Sequence, residues 1–345
     1  MSQQQGNLTI DRRTFLKYSG MLGVGVAFGG LMPVSESVAF NRSLQKVTRA
    51  RLTMGTFAAV TAMHPSRTEA DDAIGKAFEE MDRVTRLLNR YQSASAIGTL
   101  NKEGHLSNMP PEVCQVIARA LHFHKESNGA FDMTVKPLVD LYKEHFAAHK
   151  SPPSEAKLSK AMDLVDSSAV KFDGRTIRFT KEGMGITLDG IAKGYIIDCG
   201  ARTLERHGIK HALINAGGDI RAIGGKESKT PWKVAIQNPD KEGPYVDTIT
   251  MVNGSIATSG DYEVYFDEEK LYHHIINPNT GRSPRQSTSV TVLASNVMDA
   301  DALSTAVFVL EPAAGKRFIE NMPKAECLIL NASEQKIMSS GWPSA

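Results

Sequence analysis

Thr248-Ile249-Thr250-Met251, Ser255-Ile256-Ala257-Thr258 and Ser289-Val290-Thr291-Val292-Leu293 are three short runs rich in β-branched residues. Such residues favour strands, and hairpin-like turns within 248–293 join them. Outward from this block the pattern alternates between strand and helix. Further strands are predicted over 52–63, 212–215, 232–237 and 327–331. A helix is predicted after Ser66, which forms a capping box with Glu69. Ile74, Phe78, Met81, Val84 and Leu88 then recur at helical spacing. A second helix covers 112–126, with Val113, Ile117, Leu121 and His124 on one face, and Asn128-Gly129 ends it. Asp173-Gly174 joins two short strands, 169–172 and 176–179, as in a hairpin. A third helix spans 189–207 with Gly208 as its stop, and a fourth spans 299–310. The polar stretch 144–170, with Pro152-Pro153, is expected to be a surface excursion. No repeat or low-complexity linker divides the chain. Strand blocks interleaved with helices imply an α+β fold, not a doubly wound parallel sheet. The expected architecture is one domain of mixed or antiparallel sheets with flanking helices.

Composition narrows the function classes. The chain has 345 residues, 41% hydrophobic and 23% charged, enough to bury a globular core. Its 40 basic and 38 acidic residues leave a net charge of +2. The basic excess of a nucleic-acid binder is absent. Cys114, Cys199 and Cys327 form no CxxC, so neither a disulfide framework nor a zinc site is indicated. Each falls on an apolar element, where buried thiols are common.

The N-terminus has the order of an export signal. Arg12-Arg13 precede Phe15-Leu16-Lys17, and an apolar, glycine-rich run extends to about Met32. Ser37-Val38-Ala39 then places small residues where a signal peptidase cuts. The arginine pair resembles a twin-arginine signal. The run is about 15 residues, short of the roughly 20 that a membrane-spanning helix needs. The expectation is a cleaved signal over 1–39, a domain over 40–345 without an integral membrane segment, and a periplasmic location.

Four segments concentrate chemistry at junctions between elements. In Thr187-Leu188-Asp189-Gly190-Ile191-Ala192-Lys193-Gly194-Tyr195 a strand is expected to become a helix. A helix N-terminus offers free N–H groups and a positive dipole, Lys193 adds charge, and Gly190 and Gly194 permit close approach. Taken alone, this is equally a plain turn with Asp189 as N-cap. Asn215-Ala216-Gly217-Gly218-Asp219-Ile220 follows a strand, and its double glycine suits a tight turn or contact with a ligand. In Tyr272-His273-His274-Ile275-Ile276-Asn277, adjacent histidines point to opposite faces of a strand and do not easily share a metal. A single one could act as acid or base, or simply bond the backbone. In Met298-Asp299-Ala300-Asp301-Ala302-Leu303-Ser304-Thr305, Asn296 and Asp299 cap a helix. Asp301 and Thr305 share a face, which suits Mg²⁺ with phosphates completing its shell, or is no more than an acidic first turn.

Together these segments resemble the ApbE family of FAD:protein FMN transferases over roughly residues 45–312. Met54-Gly55-Thr56, Tyr91 with Leu100-Asn101, Gly129 to Asp132 and Thr258 to Glu263 match as well. The resemblance implies the α+β flavin-transferase fold and Mg²⁺-dependent transfer of FMN from FAD to a threonine hydroxyl, releasing AMP. It implies an acceptor flavoprotein bearing a threonine flavinylation motif, either a subunit of a membrane electron-transport complex or an extracytoplasmic reductase. Met54, Tyr91, Ala130, Phe131, Asp132, Lys193 and the Ile275 backbone would contact FAD. Gly190 (through its carbonyl), Asp301 and Thr305 would hold Mg²⁺. The family form Asp-Leu-Gly-Gly-Ile-Ala-Lys-Gly is altered here: Thr187 stands at the aspartate and Asp189 at a glycine, so either could fill that contact. Phosphoryl transfer needs charge neutralisation and an in-line nucleophile. The acceptor threonine is that nucleophile, with His274 as first candidate base and Asp261 as second. Two alternatives use the same site: an FAD pyrophosphatase giving FMN and AMP, and a carrier that binds FAD without chemistry. No acceptor-type Asp-Gly-[Ala/Ser]-[Ser/Thr]-x-Thr segment is present.

Overall fold

The computed structural model describes residues 44–227, 230–240, 243–262, 264–267 and 271–343. The signal predicted over 1–39 lies outside them, as does Glu263 of the Thr258–Glu263 motif.

The chain opens with β1 (Gln45–Thr53) and β2 (Thr56–His64), then α1 (Arg67–Leu88), α2 (Ala96–Glu103), β3 (His105–Leu106) and α3 (Pro111–Glu126). Helices α4 (Lys136–His149) and α5 (Glu155–Met162) precede strands β4 (Val170–Phe172) and β5 (Ile177–Phe179). Then come α6 (Ala192–Arg206), β6 (Ala212–Ala216), β7 (Asp219–Ile223), β8 (Trp232–Ile236), β9 (Asp247–Met251), β10 (Gly254–Gly260) and β11 (Ser287–Ala294). The last elements are α7 (Val297–Val309), α8 (Pro312–Glu320), β12 (Glu326–Asn331) and β13 (Lys336–Met338). Eight strands form one sheet in the order β1-β2-β6-β7-β10-β11-β12-β13, with every neighbouring pair antiparallel. The fold is α+β, and the paired strands are antiparallel rather than mixed.

Across its middle both faces of this sheet are buried, and the strand period of two divides the central strands between two cores. Ala212, Ile214 and Ala216 of β6 join the larger core with α1, α6 and α7, while Leu213 faces the other side. There Ile220, Ala222, Leu328 and Leu330 pack against Trp232, Val234, Ile236 and Ile249 of the separate β8-β9 hairpin. Each such aliphatic side chain, fully buried, stabilises by about 1.5–3 kcal/mol. On α1, all five predicted apolar positions are buried, and Ser66 Oγ accepts the Glu69 N–H at 3.3 Å. On α7 nearly every residue is buried, because it lies between α6, α8 and the sheet.

Three expectations change. The strand expected over 52–63 is a hairpin: Thr53 pairs with Thr56 around Met54 (φ 54°) and Gly55 (φ 73°). The stretch 144–170 is not a polar excursion but holds the end of α4 and all of α5. Leu138, Tyr142, Phe146 and Leu158 form a third core there with Ile276. No strand precedes Asp189: residues 185–188 are irregular, and α6 begins at Ala192 after a turn. Asp189 is therefore not the N-cap, a position taken by Ile191 without a side-chain hydrogen bond. The predicted Asp173-Gly174 hairpin is present as β4-β5.

Candidate active site

The 187–194 turn sits against the first turns of α7. At Gly190 a Cβ would lie 2.9 Å from Thr305 Oγ1 and 3.4 Å from Phe131 Cε2. Glycine therefore brings the Gly190 backbone, Thr305 and Phe131 into one contact. At Gly194 a Cβ would lie 2.3 Å from the Val297 carbonyl oxygen, so α6 and the start of α7 touch through backbone. The Gly194 N–H donates to Asp301 Oδ2 at 3.0 Å. Asp198, one turn along α6, accepts from the Val297 and Met298 N–H groups. Asn296 caps the same helix by accepting from the Asp299 N–H at 2.8 Å. These exchanges lock the two helix starts together and fix Asp301 and Thr305 on a rigid element.

Around Asp301 lies a charge cluster of low solvent access. Asp301 is 6% exposed and Asp219, at the start of β7, is 1% exposed. Lys193 Nζ reaches Asp219 Oδ2 at 3.2 Å, and the Thr258 N–H donates to Asp219 Oδ1 at 3.4 Å. Ser259 Oγ bonds Ser304 Oγ at 2.8 Å and lies 3.3 Å from Thr305 Oγ1. Burial, and then repulsion by Asp219, pushes the Asp301 carboxyl well above the ordinary carboxylate range; Lys193 and the Gly194 N–H act in the opposite direction. A divalent cation beside Asp301 would restore its ionised form. The donor set fits a hard cation: a carboxylate, the Thr305 hydroxyl and the Gly190 carbonyl are all oxygen. Among the described residues no three His, Cys, Asp or Glu side chains are grouped as a metal site. A cation here would therefore draw the rest of its shell from water or substrate phosphate.

A second cluster borders the same turn. Arg90, with its side chain 5% exposed, donates through Nη1 to Asp140 at 2.9 Å and through Nε to Asp189 at 3.2 Å. It also donates through Nη2 to the Tyr91 hydroxyl at 2.9 Å, with its guanidinium 4.5 Å from that ring. Tyr91 is 66% exposed, the largest exposed aromatic surface among the described residues. The Thr187 hydroxyl accepts the Asp189 N–H at 3.2 Å. The altered pair is thus divided: Thr187 holds the turn, and the Asp189 carboxylate goes to Arg90. Asn101 bonds both the N–H and the carbonyl of Ile186, fixing the approach to the turn.

The remaining predicted residues are distributed around these clusters. Met54 occupies the β1-β2 turn and packs on the larger core, of which Ala130 and Phe131 are buried members. Asp132 is turned to four partners: the Thr134 N–H and hydroxyl, the Ser167 hydroxyl and His124 Nδ1 at 3.0 Å. The Asp132 carboxylate is thus engaged by groups of the protein itself. Ile275 is buried in the larger core. The two histidines part, although the expected strand is absent and His273 makes only an isolated bridge with Tyr265. His273 is 2% exposed, bonds the Pro284 carbonyl through Nε2 at 2.9 Å, and meets Phe308 edge-on. Burial lowers its pKa to about 4, so it is neutral and structural. His274 is half-exposed, with Nδ1 3.3 Å from the Val264 carbonyl. Asp261 follows β10, its N–H donating to the Thr288 carbonyl.

Asp219, Ser259 and Arg90 were not among the sequence candidates. Asp219 and Ser259 lie inside the Asn215–Ile220 and Thr258–Glu263 motifs, but the double glycine before Asp219 signals a turn, and a serine in a strand has no spacing signal. Arg90 carries no local signal, because its partner Asp189 is 99 residues away.

An antiparallel α+β sheet protein with a buried acid–lysine cluster at a glycine-rich turn is the class that fold and site define. A model of the ApbE family matches residues 54–329, and the chain belongs to that family. It is 30% identical over 311 residues to the FAD:protein FMN transferase of Haemophilus influenzae, covering 85% of this chain and 86% of that one. It is 30% identical over 279 residues to the Escherichia coli K12 protein of the same name, covering 77% and 79%. The ApbE protein of Thermotoga maritima superposes with a TM-score of 0.77 at 30% identity, covering 86% of this chain and 97% of that one. The flavin transferase ApbE from Vibrio cholerae gives 0.74 at 26% identity, covering 86% and 98%.

Proposed function

We propose that this chain transfers the FMN half of FAD to a threonine hydroxyl of an acceptor flavoprotein and releases AMP. The observation that carries the reading is the buried Asp301 beside Asp219, with Thr305 and the Gly190 backbone in contact one helical turn away. The names of the relatives support flavin transfer, and the oxygen donor set supports Mg²⁺.

In the proposed reaction the acceptor threonine oxygen attacks the phosphorus on the FMN side of the FAD pyrophosphate. A new phosphoester bond forms, the bond to the bridging oxygen breaks, and that oxygen leaves with AMP. The hydroxyl proton passes to a base, for which half-exposed His274 is first candidate and Asp261 second. Mg²⁺, held by Asp301, Thr305 and the Gly190 carbonyl, would neutralise phosphate charge. Lys193 adds positive charge at the turn, while Asp219 fixes its position. Tyr91 offers an exposed ring for stacking, Phe131 borders the Gly190 turn with apolar surface, and Met54 is a further FAD contact on the family resemblance. The N-terminal segment, read as a twin-arginine signal, fits an enzyme acting on extracytoplasmic acceptors.

The test uses the chain without residues 1–39, FAD, Mg²⁺ and a protein bearing the threonine motif. The expected result is an acceptor heavier by one FMN with equimolar AMP, abolished when the acceptor threonine is replaced. AMP without mass gain would favour the pyrophosphatase. FAD binding with neither product would leave a carrier and end the catalytic reading.

A further inference from the structure

Two residues beyond Thr187 in the turn, the Asp189 carboxylate reaches Arg90. Three donor nitrogens of Arg90 are engaged at once: Nη1 by Asp140, Nε by Asp189 and Nη2 by the Tyr91 hydroxyl. Asp140 is itself held by Lys136 Nζ at 2.5 Å. A guanidinium is planar, so carboxylates on two of its nitrogens fix the plane as well as the position. That plane lies 4.5 Å from the Tyr91 centroid, and Lys143 Nζ lies 5.2 Å from the same ring. An exposed tyrosine ordinarily exchanges rotamers freely. Here its hydroxyl and its ring are both tied to one buried arginine. A ring held in advance loses less freedom when a ligand stacks on it.

We propose that Asp189 is a positioning residue for the dinucleotide: through Arg90 it holds Tyr91 as a preformed stacking platform for a flat ring system of FAD. This rests on the proposed function. Asp189 is half in water, so its contribution is modest, and it falls on binding rather than on the phosphoryl step.

The experiment is a double-mutant cycle on the full exported chain, reading KM for FAD, kcat for AMP release and the melting temperature. Asp189→Asn keeps the shape and removes the charge. It is expected to raise KM about fivefold, the scale of a half-exposed ion pair, with kcat within about twofold and melting unchanged. Tyr91→Leu is expected to raise KM about tenfold, the scale of a lost aromatic stack. Adding Asp189→Asn to Tyr91→Leu is expected to change nothing further, because the platform is already gone. Arg90→Lys keeps the charge but not the plane, and should match Arg90→Gln rather than wild type. Equal effects of Asp189→Asn with and without Tyr91 would overturn the proposal. A fall in kcat at constant KM would overturn it too, and both results leave the transferase reading standing. A wild type that neither binds nor turns over FAD would overturn both.

Discussion

At one end of the 187–194 turn, the carboxylates of Asp219 and Asp301 are buried beside a partly exposed Lys193; at the other, the carboxylates of Asp140 and Asp189 reach water from a buried Arg90. The carboxylate side chain of Asp219 is 1% exposed, whereas those of Asp140 and Asp189 are 30% and 53% exposed. The same kinds of groups therefore do different work. In the dry cluster each charge is costly unless compensated, so with two acids near one lysine the second carboxylate is offset by a proton or would be by a bound cation. In the wet cluster water screens the ion pairs, and what remains useful is geometry: a flat guanidinium aligned with a ring.

The contrast is broken most severely at Asp301. Asp301→Ala is expected to lower turnover by about a thousandfold, the scale of losing a preorganised electrostatic contact in a dry site. FAD binding should be partly retained, and the rate of AMP release with equilibrium dialysis of FAD separates the two. Turnover within tenfold of wild type would mean that Asp301 is structural. Next is Lys193→Met, which leaves the Asp219 carboxylate buried without its lysine. A loss of about 2 kcal/mol in urea unfolding is expected, partly recovered by adding Asp219→Asn. No recovery would show that the pairing is not what holds Lys193.

The smallest effect is at His124 and Asp132, a pair outside both clusters in which the histidine is partly exposed and the carboxylate is buried. The Asp132 carboxylate raises the His124 pKa above its ordinary value. A raised histidine stabilises fully below its unfolded pKa, near 6.5, and that contribution is lost as pH rises through the folded value. His124→Gln should therefore destabilise more at pH 5.5 than at pH 9, by about 1 kcal/mol or less. Denaturant melts at the two pH values check this, and an equal cost at both would contradict the pairing.

Much of this architecture was legible because it is local. The α1 stripe, its Ser66 cap, the Asn296 cap and the Asp173-Gly174 hairpin each declare themselves within a few residues. The β1-β2 turn did not, because methionine rarely adopts a positive φ and Met54 gives no turn signal. The β6-β7 hairpin was half seen. Gly217 and Gly218, both at positive φ, signal the turn, but the five-residue strand after them, with Asp219 and Arg221 in it, carries no clear strand pattern. Helices α4 and α5 were hidden by the charged residues and the proline pair between them, although Leu138, Tyr142 and Phe146 keep a helical period. In the site, the motif residues were legible and their division of labour was not. That Asp189 serves Arg90, and Asp132 serves His124, depends on contacts no spacing rule reaches.

Mn²⁺ binding, followed by electron paramagnetic resonance with FAD present, tests the difference between the clusters most directly, since Mn²⁺ takes the same hard oxygen donors as Mg²⁺. Wild type and Asp140→Ala should bind the ion alike, while Asp301→Ala should lose it. Retention by Asp301→Ala, or loss by Asp140→Ala, would contradict the assignment of the cation to the buried cluster.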